Sequence, residues 1–560
     1  MYAALMLDLL IRGGLVVDGT GLPGYRADLG IRDGRITEIG RIQEGAARTI
    51  DAGGLVVAPG LIDHHTHLDA QLLWDPYGTS EPQHGVTTVV TGNCGLTLAP
   101  VVDESREALV KSLARVEAIP RESLEEGVGW GWSSYGEYLD GFENKVGINV
   151  GGLVGHIAVR HRVMGEEAVE REAEPVEVER MRQLLHESLR GGALGMSTNR
   201  NKRHMREDGK PVASRLASEE ELLSLTEVAR DLNAGIILCS SDTPLELVEK
   251  LARRSERPVV WQSVQHLWND PDRWRQQLEF VERVFADGYR TFGIANALPI
   301  IVRFDMKTGQ TFDEFQTWKQ LMFLPVADRL AAFKDPATRK RMAAEWDEPR
   351  MTVFHKRWDL IDVLSVARPE HEALIGRSVT DIAREQGKDP LDAYLDLCIA
   401  EDLATEFTTV GAGGDAEAMQ EILRSPYVLI GLSDAGAHVQ FGASFGYGTE
   451  MLARWVRQRN AFRLEEAIQK LTSVVARVYG LRDRGQLEPG MAADVIVFDP
   501  TTVQPCEPEW AEDFPARTRR LVQRCEGMHF TIVNGKVICE DGRLTGDLPG
   551  KVLRGAAYAA

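Results

Sequence analysis

The sequence predicts an α/β protein in which a (β/α)8 TIM barrel carries a small β-sandwich domain built from both chain ends. Three observations predict it. The first sixty residues show hydrophobic alternation of period two broken by Gly-Gly and Asp-Gly pairs. From about Gly60 short apolar runs alternate with longer amphipathic segments, the pattern of parallel strands with crossover helices. From about Gln486 the short-strand character returns, which suggests that the two ends meet in one domain.

The elements follow in chain order. Leu9–Asp18 reads as a hairpin hinged on Gly13-Gly14, and Asp28–Ile36 as a second with Asp33-Gly34 at its turn. Val86–Val90 and Val146–Val154 are apolar strand candidates. Glu174–Arg190 is helical in pattern, with Pro175 suited to a first turn. Ala193–Ser197, Gly235–Cys239, Pro258–Val264 and Tyr427–Leu432 are further strands, and Glu219–Leu232 a further helix. Near the end, 490–498 and 530–538 are strands, the latter turning at Asn534-Gly535. The expected boundaries are 1–60 and 488–560 for the β-sandwich domain and 61–487 for the barrel. An insertion is expected at about 300–370, where Trp318, Trp346 and Trp358 fall among many charges.

Composition narrows the function. The chain of 560 residues carries 84 acidic and 64 basic side chains, a formal charge of -20, which disfavours nucleic acid as a partner. No run approaches the length of a membrane span, and the apolar N-terminal stretch is broken by Asp8, so neither a membrane helix nor a signal peptide is expected. Six scattered cysteines without a CxxC pair fit a reducing compartment, and a cytoplasmic location is expected. A small-molecule substrate is the expected partner; the sequence leaves oligomeric state open.

The strongest chemical signal is Ala58–His67, an apolar strand that ends in His65-Thr66-His67. Residues i and i+2 of a strand project to the same side, so two imidazoles leave the strand end together, as a metal site requires. A pair of polar loop histidines would show the same spacing.

The segment PGLIDHHTH resembles the first barrel strand of the amidohydrolase superfamily. Gly85–Gly95, ending in GNCG, is similar to the second strand of its N-acyl-D-amino-acid deacylase (D-aminoacylase) branch. Gly192–Thr198, Ile430–Asp434, Leu464–Ser473 and Leu481–Pro500 match later parts of that branch. The resemblance implies His65 and His67 as ligands to one metal and Cys94 as a further ligand. It implies His266 as the histidine of a second metal. Asp434 would bind the metal or its water and shuttle the proton to the leaving nitrogen. Each has a plainer alternative: a small buried thiol for Cys94, a strand-end histidine for His266, a helix N-cap for Asp434. Zinc is the implied ion, as one or two equivalents, with one favoured.

The chain departs from the family pattern in two places. Ser240 stands where the family carries another metal histidine, and Trp268 stands where a lysine holds the substrate carboxylate. Trp268 would instead give an apolar surface to substrate. His156 and Arg160 resemble a family loop motif near the active site and are candidate substrate contacts. His438 is another, through a weaker likeness to the S-D-x-x-P-H pattern of cyclic amidases. The basic run Asn199–Arg206 could hold an anionic group or be a solvated loop. The expected activity is hydrolysis of a linear amide, as in N-acyl-D-amino-acid deacylases, with Asp434 as general base and acid. The alternatives are a cyclic amide or imide hydrolase and, more remotely, a non-catalytic barrel.

Overall fold

The computed structural model describes residues 6–307, 311–348 and 355–558. It forms two compact units: Met1–Val264 with Gln276–Leu298 and Gln420–Ala560, and Gln265–Arg275 with Pro299–Met419.

In the first unit eight parallel strands follow one another around a curled sheet in sequence order. They are Leu61–Asp63, Val86–Thr91, Asn149–Gly155, Gly195–Thr198, Ile236–Cys239, Val259–Gln262, Thr291–Ala295 and Val428–Ile430. Helices lie between them in sequence, among them Pro175–Arg190, Glu219–Asp231 and Leu245–Ser255. Pro175 does occupy the first turn of its helix, and Ser218 caps the next by accepting from the Glu221 amide at 3.1 Å. Ile62, Val90, Leu153, Leu238, Val260, Ile294 and Leu429 supply buried apolar side chains to a common core. Beyond the strand ends, the first and last strands are linked by His67 N–H to Ala435 O at 2.7 Å and Asp434 N–H to His65 O at 3.3 Å.

The two chain ends share one nine-stranded sheet. Val56–Pro59 lies between Leu7–Val16 from the N-terminal end and Val495–Phe498 from the C-terminal end, and Met528–Val533 and Lys536–Glu540 continue the sheet. The small β domain is thus common to both ends. Asp33 and Gly34 make the expected turn, both with positive φ (51° and 74°).

The first expected hairpin is not formed. Leu7–Val16 is one strand, and Gly13-Gly14 marks a register shift against Tyr25–Arg32. A Gly-Gly pair permits a bulge as well as a turn. The strand stays straight enough to pair also with Ala46–Asp51 and Val56–Pro59, and those ladders outweigh a local reversal.

The second unit has a three-stranded antiparallel sheet with Glu406–Ala412 between Ile300–Phe304 and Ile361–Ser365. Its core is aromatic. Trp346 stacks on Trp358 with ring centres 3.9 Å apart, and Phe312, Trp318, Tyr394 and Phe407 pack in the same cluster. Among the described residues no helix is long and apolar enough to cross a membrane.

Barrel and end sheet are tied by a buried polar knot. Asp494 pairs with Arg484, accepts from Asn149 Nδ2 at 2.9 Å and from the Asn534 amide at 2.8 Å, while Asn534 Nδ2 donates to Asn149 Oδ1 at 2.8 Å. Removing one member of a buried ion pair strands the other charge. Asp494→Ala is therefore expected to cost about 3–5 kcal/mol in urea unfolding. Glu540→Ala, which breaks the exposed Arg48 pair, is expected to cost under about 1 kcal/mol. Equal effects of the two substitutions would contradict this account of the knot.

Candidate metal centre

The centre starts from how the first strand ends. After Asp63 the chain leaves the sheet, and the His65 amide donates to Asp63 Oδ1 at 3.1 Å. Thr66 ties this turn to the second strand: its amide and hydroxyl both donate to Val90 O, at 3.2 and 2.9 Å. His65 and His67, on either side of Thr66, stand with ring centres 5.5 Å apart and are almost wholly buried.

Cys94 follows the second strand in a tight turn. It adopts φ 51°, a left-handed conformation that a non-glycine residue enters only under constraint. The constraint is local: Asn199 Nδ2 donates to Cys94 O at 2.8 Å, and the Gly95 amide donates to Ser197 Oγ at 2.8 Å. Gly92 precedes it at φ 75°, where a Cβ would lie 1.9 Å from Leu153 O. Only glycine fits there, and the turn that presents the thiol depends on it.

Asp434 follows the eighth strand on a segment where Leu432, Asp434 and His438 all have positive φ. Asn296, just past the seventh strand, donates to Leu432 O at 2.7 Å and helps hold that path. The Asp434 side chain keeps 25% of its surface open, whereas His65 is closed off.

These four groups converge. Asp434 Oδ1 lies 3.2 Å from His65 Nε2 and 3.8 Å from His67 Nε2, and Cys94 Sγ lies 3.7 Å from His65 Nε2. The ligand atoms of His65, His67 and Cys94 all fall within 4.8 Å of one another. Tetrahedral ligands at zinc-like bond lengths are about 3.6 Å apart, so the set matches a divalent cation in size. Two nitrogens, one sulfur and one oxygen suit such an ion in chemistry too. Asp434 Oδ1 is itself buried, and the neighbours it has at 3.2 and 3.8 Å are the two imidazoles, which places it where a cation shared with them would sit.

Electrostatics point the same way. Burial lowers His67 to about 3, leaving a neutral imidazole with a free lone pair. Burial raises the Cys94 thiol well above its usual range, with Asp434 and Glu117 adding to the effect. Burial also pushes Asp434 upward, but the His65 hydrogen bond and the nearby His65, His67 and His438 outweigh it and bring the carboxyl down to about 2.

Several groups here were not singled out from the sequence. Glu117 is 1% exposed and sits 3.4 Å from His67 Nδ1, the place of a carboxylate that orients a metal-binding imidazole. Gln262 Oε1 receives the Cys94 thiol at 3.2 Å. Asp63 is raised to about 7 by burial, and Glu81 is raised well above the usual carboxylate range by burial and by Asp63. Glu117 ends an amphipathic helix, where a glutamate reads as solvent-facing; no local pattern distinguishes it.

The other predicted residues lie as follows. His156 and Arg160 are buried on the helix His156–Met164 and converge on Glu221: His156 Nε2 lies 2.8 Å from one carboxylate oxygen, and Arg160 donates to the other. His156 Nδ1 meets Thr198 Oγ1 at 3.0 Å. His438 faces Asp434 electrostatically and packs against Phe441 with ring centres 4.9 Å apart. His266 and Trp268 belong to the second unit, where their rings meet edge to face at 5.0 Å. Ser240 Oγ accepts from the Arg200 amide at 2.7 Å.

Residues 48–539 match the family model described as "Amidohydrolase family". D-aminoacylase of Alcaligenes xylosoxydans xylosoxydans is 32% identical over 98% of this chain and 97% of its own. A solved D-aminoacylase, described with a binuclear metal centre activated by one metal and attenuated by a second, superposes with a TM-score of 0.68. It is 27% identical and covers 98% of this chain and 100% of its own. N-acyl-D-glutamate deacylase from Bordetella bronchiseptica, solved with zinc and a phosphonate that mimics the tetrahedral intermediate, also gives 0.68, at 26% identity over 98% of this chain and 100% of its own.

A thiol held protonated by burial must lose its proton to ligate a cation, whereas His67 has none to lose. Zinc uptake near pH 7 is expected to release one proton from Cys94, and affinity to rise about tenfold per pH unit below the thiol pKa. Titration calorimetry in buffers of different ionisation enthalpy measures this. Cys94→Ser should abolish the release and weaken zinc binding at least about 100-fold.

Proposed function

The chain belongs to the amidohydrolase family, and from that premise we propose that it removes the acyl group of an N-acyl-D-amino acid at a single zinc held by His65, His67, Cys94 and Asp434. That the enzyme is a metal-dependent hydrolase of non-peptide C–N bonds follows from the family and its full-length deacylase relatives. One observation carries the finer reading: a single carboxylate oxygen of Asp434 faces both imidazoles while part of that side chain stays open.

The ion would make a water acidic enough to attack near neutral pH and would polarise the scissile carbonyl. The remaining work falls to the chain. Asp434, ionised by its surroundings, accepts the proton of the attacking water and returns it to the departing nitrogen. Glu117, 3.4 Å from the far nitrogen of His67, is placed to keep Nε2 turned to the centre. The left-handed backbone at Cys94 and Asp434 fixes their side chains before substrate arrives.

A single ion is favoured by position 240, where a hydroxyl occupied by the Arg200 amide replaces an imidazole. The resemblance gives His266 to a second ion, and the proposed set is complete without it. His266→Ala is therefore expected to retain one equivalent of zinc by atomic absorption; a fall from two to one would overturn the one-zinc reading.

Activity is tested on a panel of N-acetyl-D- and N-acetyl-L-amino acids with hydantoins beside them, scored by release of free amine. Turnover is expected with the linear D-series. Asp434→Asn is expected to reduce kcat by about 100- to 10,000-fold. A variant that hydrolyses at the parent rate would remove Asp434 from the chemistry.

A further inference from the structure

The loop after the fourth barrel strand is built onto the metal-ligand turn. Asn199, which donates to Cys94 O, also meets His204 Nδ1 at 2.7 Å, and Asn201 Oδ1 accepts from the Arg203 amide at 3.0 Å. Arg203 thus directly precedes His204 on a segment that Asn199 fastens to the turn presenting Cys94.

The other arginines of this loop have acceptors. Arg200 donates to Ala217 O at 2.8 Å, and Arg206 pairs with Glu166 at 2.9 Å and with Asp208 at 2.5 Å. Arg215 donates to His204 O at 3.2 Å. Among the described residues, the Arg203 guanidinium has neither hydrogen bond nor ion pair, and its Nε is buried without a partner. In a chain with 84 acidic side chains that absence needs a cause. A buried N–H left unmade costs free energy, and such groups in folded proteins bond to protein, to ordered water or to a ligand. The planar fork of a guanidinium is matched by a carboxylate in bidentate geometry. Position 268, where the resemblance implies a carboxylate-binding lysine, holds tryptophan and supplies no such charge.

We propose that Arg203 binds the free carboxylate of the substrate, so that the centre selects N-acyl amino acids over their uncharged amides. This rests on the deacylase reading above and names the feature of the substrate that the site reads. Arg203 is thereby a specificity-determining residue, set on the loop that Asn199 fastens to the ligand turn.

The test compares N-acetyl-D-leucine with N-acetyl-D-leucinamide, which differ only in the carboxylate. Binding is measured by calorimetry to zinc-loaded Asp434→Asn protein, so that it is independent of turnover. The acid is expected to bind roughly 10- to 100-fold more tightly than the amide. Arg203→Met should erase that preference by weakening the acid alone, and Arg203→Lys should restore part of it, both at parental zinc content. Equal affinity for acid and amide in the parent, or an equal loss for both in Arg203→Met, overturns the proposal. If the wild-type enzyme hydrolyses no N-acyl amino acid while the Arg203-dependent preference persists, the deacylase reading fails and the carboxylate site stands.

Discussion

Two backbone hydrogen bonds carry the rest of this molecule. His67 N–H to Ala435 O and Asp434 N–H to His65 O join the first barrel strand to the last, just past the point where both leave the sheet. The same bonds that bring the sheet around to itself bring two imidazoles against a carboxylate. Closure of the fold and the meeting of these side chains thus share the same two bonds, so strain in the final loop bears directly on His65, His67 and Asp434. The left-handed residues at 432, 434 and 438 show how much backbone cost is accepted there.

Charge sets the second constraint. A buried site cannot keep several ionised groups of one sign without compensation. Around the cluster lie Asp434, Glu117, Asp63, Glu81 and the Cys94 thiol; burial pushes all of them toward their neutral forms, and at Asp434 the nearby histidines outweigh it. A divalent cation beside Asp434 and a thiolate would balance two negative charges with two positive, leaving the imidazoles neutral.

The strands that position the centre were legible in the sequence because short apolar runs between amphipathic helices have few other solutions. His65 and His67 were legible from spacing, and Cys94 and Asp434 from the motifs around them. Glu117 was not, because its meeting with His67 is purely tertiary. Nor was Glu221, which meets His156 from 65 residues away and absorbs the polar groups of that helix. Gly13-Gly14 misled for a related reason. The local signal allows a turn, and it is the strands on both sides of Leu7–Val16 that decide for a bulge. Arg203 lay within a basic run that looked uniform; only the acceptors found by its neighbours set it apart.

The place of Val56–Pro59 between the two chain ends has a consequence for biosynthesis. Val57 sits beside Val16 on one side and Val497 on the other, and the strand leads straight into the first histidines. During translation its second flank stays an open edge until residues 495–498 have been made, a period in which strand edges invite association with other chains. The strand that leads into His65 and His67 is therefore shielded on both sides only once a segment made more than 400 residues later has joined it.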